Sequence, residues 1–261
     1  MNAIILAGGK AEGMRGRGGY RAGLVVGGRS LLEQALRALA GLPDLGRVVL
    51  VGPEELVPEE YRATIAEVLR PGDDLFTNLK RGLAVLPVDE PVLVLSSDLP
   101  LLTRAALLDF VRQCGKREAE VYYPIIRREI YEEAYPGSRR TYVRVRDGTF
   151  TGGNVALLTP AAFLRHEKLF ARAIAHRKHP LRLAPLLGLG LLPHLFLRSL
   201  TVAEIEARVA ARLGLRAAAI ESRFSEMGFD VDTEADLEWI EFYWGGALMG
   251  EPRIEPELEG E

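Results

Sequence analysis

Residues Met1–Arg21 read MNAIILAGGKAEGMRGRGGYR. The apolar run Ala3–Leu6 breaks into a loop carrying six glycines and the cations Lys10, Arg15, Arg17 and Arg21. A short apolar run closed by Gly-Gly predicts a buried strand feeding a tight loop. Glycine lets backbone N–H groups approach a ligand, and guanidinium groups suit phosphate oxygens. The stretch therefore predicts a polyphosphate cradle at the end of the first strand. A solvated surface loop is the alternative, and placement directly after an N-terminal strand favours the cradle.

Two familiar cradles are excluded by spacing. A P-loop needs four residues between its first Gly and Gly-Lys-Ser/Thr, and none follows this strand. A dinucleotide fingerprint fails because Arg21 stands where the third Gly after Gly16 and Gly18 is required. What remains is Leu6-Ala7-Gly8-Gly9, then Gly13-Met14-Arg15, Arg21, and Gly27-Gly28-Arg29-Ser30-Leu31-Leu32-Glu33. This series resembles the signature loop of the molybdenum-cofactor guanylyltransferase-like (MobA-like) NTP transferases. They are nucleotidyltransferases with a glycosyltransferase-A-like fold, a group that also holds sugar-1-phosphate nucleotidyltransferases and phospholactate guanylyltransferases. The chain departs from the pattern by a short insertion before Gly13 and by Arg21 in place of the usual Lys, a planar fork for a point charge.

Composition narrows the class independently. A chain of 261 residues, 48% apolar and 26% charged, is long enough to bury a full core as an ordinary globular protein. A net charge of −3 argues against nucleic-acid binding. The single cysteine, Cys114, allows no internal disulfide or cysteine metal cluster and fits a cytoplasmic protein. No signal peptide is recognised, and no apolar run reaches the roughly 18 residues of a membrane span. The nearest, Leu181–Leu197, is interrupted by Arg182, Pro185, Pro193 and His194 and reads as a buried helical hairpin, with a lipid-facing or lipid-substrate surface as the less favoured alternative.

Along the chain, strands are expected at Arg47–Val51 and Pro91–Ser96, with helices at Ser30–Leu39, Glu54–Ala66, Leu75–Leu86 and Thr103–Gln113. This alternation implies parallel pairing, with ligands at the carboxyl ends of the strands. Beyond Glu118, strands are expected at Glu120–Ile126, Thr141–Val145, Val155–Leu158, Arg216–Glu221 and Gly228–Asp232. Helices are expected at Pro160–Ala175, Arg182–Leu192, Val202–Leu213 and Glu234–Phe242. The predicted architecture is a single α/β domain over 1–245: a mainly parallel, Rossmann-like sheet flanked by helices, with a small β-hairpin and a helical insert at about 161–215. An acidic tail, 246–261, is expected to be disordered.

Strand Pro91–Ser96 delivers Ser97-Asp98-Leu99-Pro100 at its carboxyl end. An acidic side chain there can hold a divalent cation against a phosphate, because Mg²⁺ usually takes only one or two protein carboxylates. The alternative is a helix cap, although Thr103 can cap that helix itself. Ser96–Thr103 also resembles the family's metal-binding segment, nearest to the phospholactate guanylyltransferase type. Phe229-Asp230-Val231-Asp232-Thr233-Glu234-Ala235-Asp236-Leu237 resembles its late Asp-rich segment, so the resemblance implies Asp98 with Asp230 or Asp232 as Mg²⁺ ligands. Strand alternation would put Asp230 and Asp232 on one face, and Asp236 reads as structural.

Thr151-Gly152-Gly153-Asn154 resembles a segment that lies against the acceptor in the family, or is a plain hairpin turn. Tyr142, Arg144 and Arg146 fall on one face of the preceding strand, which either clamps an anionic acceptor or is a solvated edge. Asn78 falls in a segment that matches in position the base contacts of relatives. The resemblance implies nucleotide-binding residues Leu6, Ala7, Gly8, Gly9, Arg15, Arg21, Asn78, Ser97 and Asp98, with Arg15, Arg21 and Asp98 catalytic. It implies acceptor-binding residues Gly152, Gly153 and Asn154, to which the basic strand face adds Tyr142 and Arg144 as acceptor-binding candidates. The expected reaction is Mg²⁺-dependent transfer of a nucleoside monophosphate from a nucleoside triphosphate to a small anionic acceptor, by a protein that could be a homodimer. A nucleotide-sugar glycosyltransferase and a non-catalytic nucleotide-binding paralogue remain as alternatives. The former usually shows Asp-x-Asp where this chain has Ser96-Ser97-Asp98.

Overall fold

The computed structural model describes residues 1–12, 14, 19–177 and 200–245. Arg15, the helix expected at Arg182–Leu192 and the tail 246–261 lie outside these. In chain order the strands are β1 (Asn2–Leu6), β2 (Val25–Val26), β3 (Arg29–Ser30), β4 (Val48–Val51), β5 (Ile65–Leu69) and β6 (Val92–Ser96), followed by β7 (Val121–Arg127), β8 (Val143–Val145), β9 (Gly148–Gly152), β10 (Val155–Leu158) and β11 (Ala217–Ser222). The helices are α1 (Leu31–Leu39), α2 (Leu75–Ala84), α3 (Arg104–Cys114), α4 (Arg128–Ala134), α5 (Pro160–Arg165), α6 (Glu167–Ala175), α7 (Val202–Leu213) and α8 (Glu234–Gly245).

β1 and β4 are buried along their whole length and, apart from Asn2 at the start of β1, apolar, as parallel strands covered on both faces must be. Nine strands form one sheet. β5, β4, β1 and β6 pair in parallel in that order. β10 runs antiparallel between β6 and β7, and β11 adds in parallel to the far edge of β7. β10 and β9 share the near edge of β7, one pairing with Val121 and Tyr122, the other with Ile125–Arg127. The chain between them is Gly153-Asn154, so the glycine segment marks where one strand passes from one ladder to the next.

One face of the sheet packs Leu32, Leu36 and Leu39 of α1 and Leu107 and Phe110 of α3 onto Ile5, Leu50 and Leu95. The other packs Leu79 and Leu83 of α2 and Phe163 of α5 onto Ile4, Leu6 and Val94. A third cluster, built on Tyr131, Tyr135, Phe229, Val231 and Ile240, seats the late Asp-rich segment.

Several expectations are corrected. Glu54–Ala66 is two 3-10 turns, Glu54–Leu56 and Glu59–Thr64, each entered from a proline, and Ile65–Leu69 is a sheet strand. Hydrogen bonding to β4 outweighs the helix propensity of that stretch. The helix expected at Pro160–Ala175 breaks at His166 (φ −119°), which ends α5 and opens α6. Arg127–Arg140 contains the unforeseen helix α4. Gly228–Asp232 joins no strand, and only Arg144 of the predicted Tyr142, Arg144, Arg146 face lies in β8.

Candidate active site

The site grows from two neighbouring parallel strands. The N–H of Ser97, just past β6, donates to the carbonyl of Leu6 at the end of β1 (3.1 Å), so the turns after the two strands lie side by side. Beyond β1 the loop closes on itself: Lys10 and Tyr20 form an antiparallel bridge, and the N–H of Ala11 donates to Gly19 O (3.0 Å). Lys10 Nζ stands 3.6 Å from the centre of the Tyr20 ring. The neck returns Arg21 to Gly9, whose carbonyl accepts the Arg21 N–H (2.8 Å). A Cβ on Gly9 would lie 2.7 Å from Arg21 Nη2, so the absent side chain is what lets the guanidinium rest there.

From that bed Arg21 reaches both acidic segments. Its Nη2 lies 3.2 Å from Asp98 Oδ2, and its Nη1 donates to Asp232 Oδ1 and to Val231 O (3.4 Å). The N–H of Val231 donates in turn to Asp98 O (3.0 Å), tying the late segment to the end of β6. Phe229 and Val231 are buried in the third cluster, which turns Asp230 and Asp232 the other way. The alternation expected of a strand is therefore kept without a strand. Asp230 pairs with Arg140, whose Nη2 also donates to Gly152 O (2.9 Å) and whose guanidinium lies 5.5 Å from the Tyr131 ring.

Electrostatics follow from burial. Loss of water raises the Asp98 pKa, opposed by Arg21 and a hydrogen bond from Ser96 and reinforced by Asp232. Burial likewise pushes Asp230 up to about 6 against the pull of Arg140, with Asp98 and Asp232 adding to the rise. Burial disfavours the Arg21 charge, yet Asp98 and Asp232 outweigh it and hold its pKa above the usual value. Arg21 thus pairs with Asp98 and Asp232, and Arg140 with Asp230.

Among the described residues no three His, Cys, Asp or Glu side chains are grouped as ready metal ligands, because arginines stand between the aspartates. The donor set nevertheless fits Mg²⁺, which needs only one or two carboxylates. Asp98 Oδ1 is buried without a hydrogen-bond partner. Thr103 caps α3 through Ala106 N (3.1 Å), which relieves Asp98 of the capping role. Asp236 is structural as expected, accepting from Thr233 N (2.8 Å) and Thr233 Oγ1 (2.7 Å) at the start of α8.

The remaining predicted residues divide. Asn78, on the first turn of α2, accepts from Gly72 N (2.6 Å) and packs its amide against Gly8. Gly153 O accepts from Tyr123 OH, and Asn154 N donates to Met227 O (2.8 Å). Asn154 Nδ2, Tyr142 OH, Arg21 Nε and Arg140 Nε are buried without partners, donors that an anion could satisfy. Tyr142 lies 5.3 Å from Arg128, on the wall of the third cluster. Arg144 is exposed on the edge strand β8, and no described contact joins it to the carboxylates. The arginine that the fold does bring there is Arg140, which sequence reasoning passed over. Its only sequence signal is membership in a basic run, and the choice among that run depends on Asp230, distant in the chain. Of the histidines, His166 and His176 flank α6.

The sequence matches the MobA-like NTP transferase domain over residues 3–213. Comparison with curated proteins yields no match. A solved structure described as a hypothetical transferase from Thermus thermophilus is 39% identical, with a TM-score of 0.76, covering 90% of this chain and 98% of its own. The fold is also that of a 4-diphosphocytidyl-2C-methyl-D-erythritol synthase from Anaerococcus prevotii (15% identity, TM-score 0.57, 94% and 95% covered). It is shared too by the 2-C-methyl-D-erythritol 4-phosphate cytidylyltransferase of Thermus thermophilus (18%, TM-score 0.51, 93% and 97%). With its glycine turn, Arg21 and Asp98 set at the ends of adjacent parallel strands, the chain belongs to the MobA-like NTP transferase family of nucleotidyltransferases.

Proposed function

We propose that the protein transfers a nucleoside monophosphate from a nucleoside triphosphate to the phosphate of a small anionic acceptor. An acceptor oxygen attacks the α-phosphorus, the bond between α-phosphorus and bridging oxygen breaks, and pyrophosphate leaves with that oxygen. The observation that carries this reading is the convergence of Arg21, Asp98 and Asp232 beside the glycine turn after β1. Backbone N–H groups of Gly8 and Gly9, with Arg15 and Arg21, would hold the β- and γ-phosphates and stabilise the departing charge. Asp98 with Asp230 or Asp232 would hold Mg²⁺, which supplies charge neutralisation at the phosphates when bound.

Arg140, Gly152, Gly153 and Asn154 would form the acceptor side, and Asn78 would approach the base. A phosphate monoester is ionised near neutrality, its second pKa being about 6, so no general base is needed. This agrees with His166 and His176 flanking α6. The lone cysteine and the triphosphate donor support a cytoplasmic protein. Among the described residues no helix is long and apolar enough to cross a membrane.

The test is a pyrophosphate-release screen of the four ribonucleoside triphosphates against a panel of phosphate monoesters. One pairing should release pyrophosphate only when both substrates are present, and Asp98→Asn should lower kcat by about 100-fold or more. Glycosyl transfer from a nucleotide-sugar, without pyrophosphate release in any pairing, would overturn the reading.

A further inference from the structure

Arg21 is drawn to two partners that it cannot serve at once. As a phosphate ligand it must point its Nη atoms at a triphosphate, yet both are engaged on Asp98, Asp232 and Val231 O. Its seat fits it incompletely. Nε is buried without a partner, and only Oδ2 of Asp98 is used, leaving Oδ1 unpartnered. Arg140 shares the unpartnered Nε but is held by three kinds of contact: Asp230, the neutral carbonyl of Gly152 and the Tyr131 ring.

We propose that Arg21 is a movable resident counter-ion: it occupies Asp98 and Asp232 until a triphosphate draws it away, and only then do these carboxylates accept a divalent cation. The inference rests on the nucleotidyl-transfer reading for the identity of the arriving anion. Like-charge repulsion supports it. With Arg21 Nη2 still 3.2 Å from Asp98 Oδ2, a divalent ion on that carboxylate would stand beside a guanidinium in a largely buried site, where repulsion is weakly screened. The planar fork of Arg is suited to bridging two carboxylates in a way that the point charge of Lys is not. Gly9, lacking a Cβ, leaves the guanidinium unobstructed on that side. Free cation is therefore taken up poorly, and nucleotide and cation enter together.

The test measures Mn²⁺ uptake by the full-length protein without nucleotide, reading free Mn²⁺ by electron paramagnetic resonance. Arg21→Gln should bind Mn²⁺ at least about tenfold tighter than wild type, the order expected for removing a like charge within a few ångströms. Adding Asp98→Asn to that variant should abolish the gain. Unchanged or weaker uptake by Arg21→Gln would overturn the proposal. If that variant fails to fold, Arg21→Lys is read in the same way: a smaller gain supports the hand-over, and no gain overturns it. Because turnover is not involved, the two readings fail separately. Normal pyrophosphate release with no gain in Mn²⁺ uptake sinks the hand-over alone. Absent release in every pairing leaves a measured gain standing as a property of the site and removes the reaction.

Discussion

Gly8 and Gly9 are adjacent but meet different neighbours, and the difference sets what each substitution does. A Cβ on Gly8 would lie 2.7 Å from Pro71 Cβ and 2.7 Å from Asn78 Nδ2, atoms held by a ring and by a hydrogen bond to Gly72. A Cβ on Gly9 would meet the far end of the Arg21 side chain, which can swing aside. Gly8→Ala should therefore destabilise the fold by about 1–3 kcal/mol, as overpacking does. Gly9→Ala should cost under about 1 kcal/mol, the scale of an ordinary well-tolerated change, while displacing the guanidinium from Asp98. Urea denaturation ranks the stabilities, and triphosphate-induced thermal shift reads the binding loss expected for Gly9→Ala. The reverse ranking would contradict this packing. From sequence, both glycines suggest close approach of a ligand; in the structure each also admits a side chain of the chain itself. Arg140 was illegible for a related reason, since its partner Asp230 lies at a separation that no local pattern encodes.

Glu226 shows how one short element can carry a pH dependence. It lies in the 3-10 turn Ser225–Met227 after β11, where its Oε1 accepts from Thr103 Oγ1 (2.7 Å), the same hydroxyl that caps α3. Burial raises its pKa, with the Thr103 hydrogen bond opposing. A carboxyl whose pKa is raised on folding contributes stability that is fully present below its unfolded value and is lost as pH rises through the folded value. Glu226→Gln keeps an acceptor for Thr103 without the charge. It should melt higher than wild type near neutral pH, an advantage that disappears in mild acid. A variant less stable at neutral pH would contradict the assignment. Elements whose core positions are continuous, such as PVLVLS for β6, were legible in sequence, because an unbroken apolar run admits few alternatives. Glu54–Leu69 was not, because its polar residues have helix propensity while its place is set by hydrogen bonds to β4. The late segment was legible in its alternation and not in its pairing: Phe229 and Val231 anchor it in an aromatic cluster instead of a sheet.

At the scale of the molecule, alternating strands and helices foretold parallel pairing with ligands at the carboxyl ends of the strands, and the registry brings Leu6 of β1 opposite Ser96 of β6. That placement aligns the glycine turn with Asp98, as open α/β sheets commonly do with their ligand sites. The contribution of Asp230 and Asp232 depends on the chain returning after β11, and their pairing with Arg140 and Arg21 exists only in three dimensions. The resulting site sets an unpartnered carboxylate oxygen of Asp98 among unpartnered donors, suited to a cation and a polyphosphate together. The most direct measurement is thermal shift with each nucleoside triphosphate, with and without Mg²⁺, on wild type and Asp98→Asn. Ligand at 100 times its Kd should add about 2.7 kcal/mol to stability. A Mg²⁺-dependent shift with a triphosphate, lost in Asp98→Asn, is the predicted result. An equal shift in Asp98→Asn, or no shift of wild type with any triphosphate, would contradict the account.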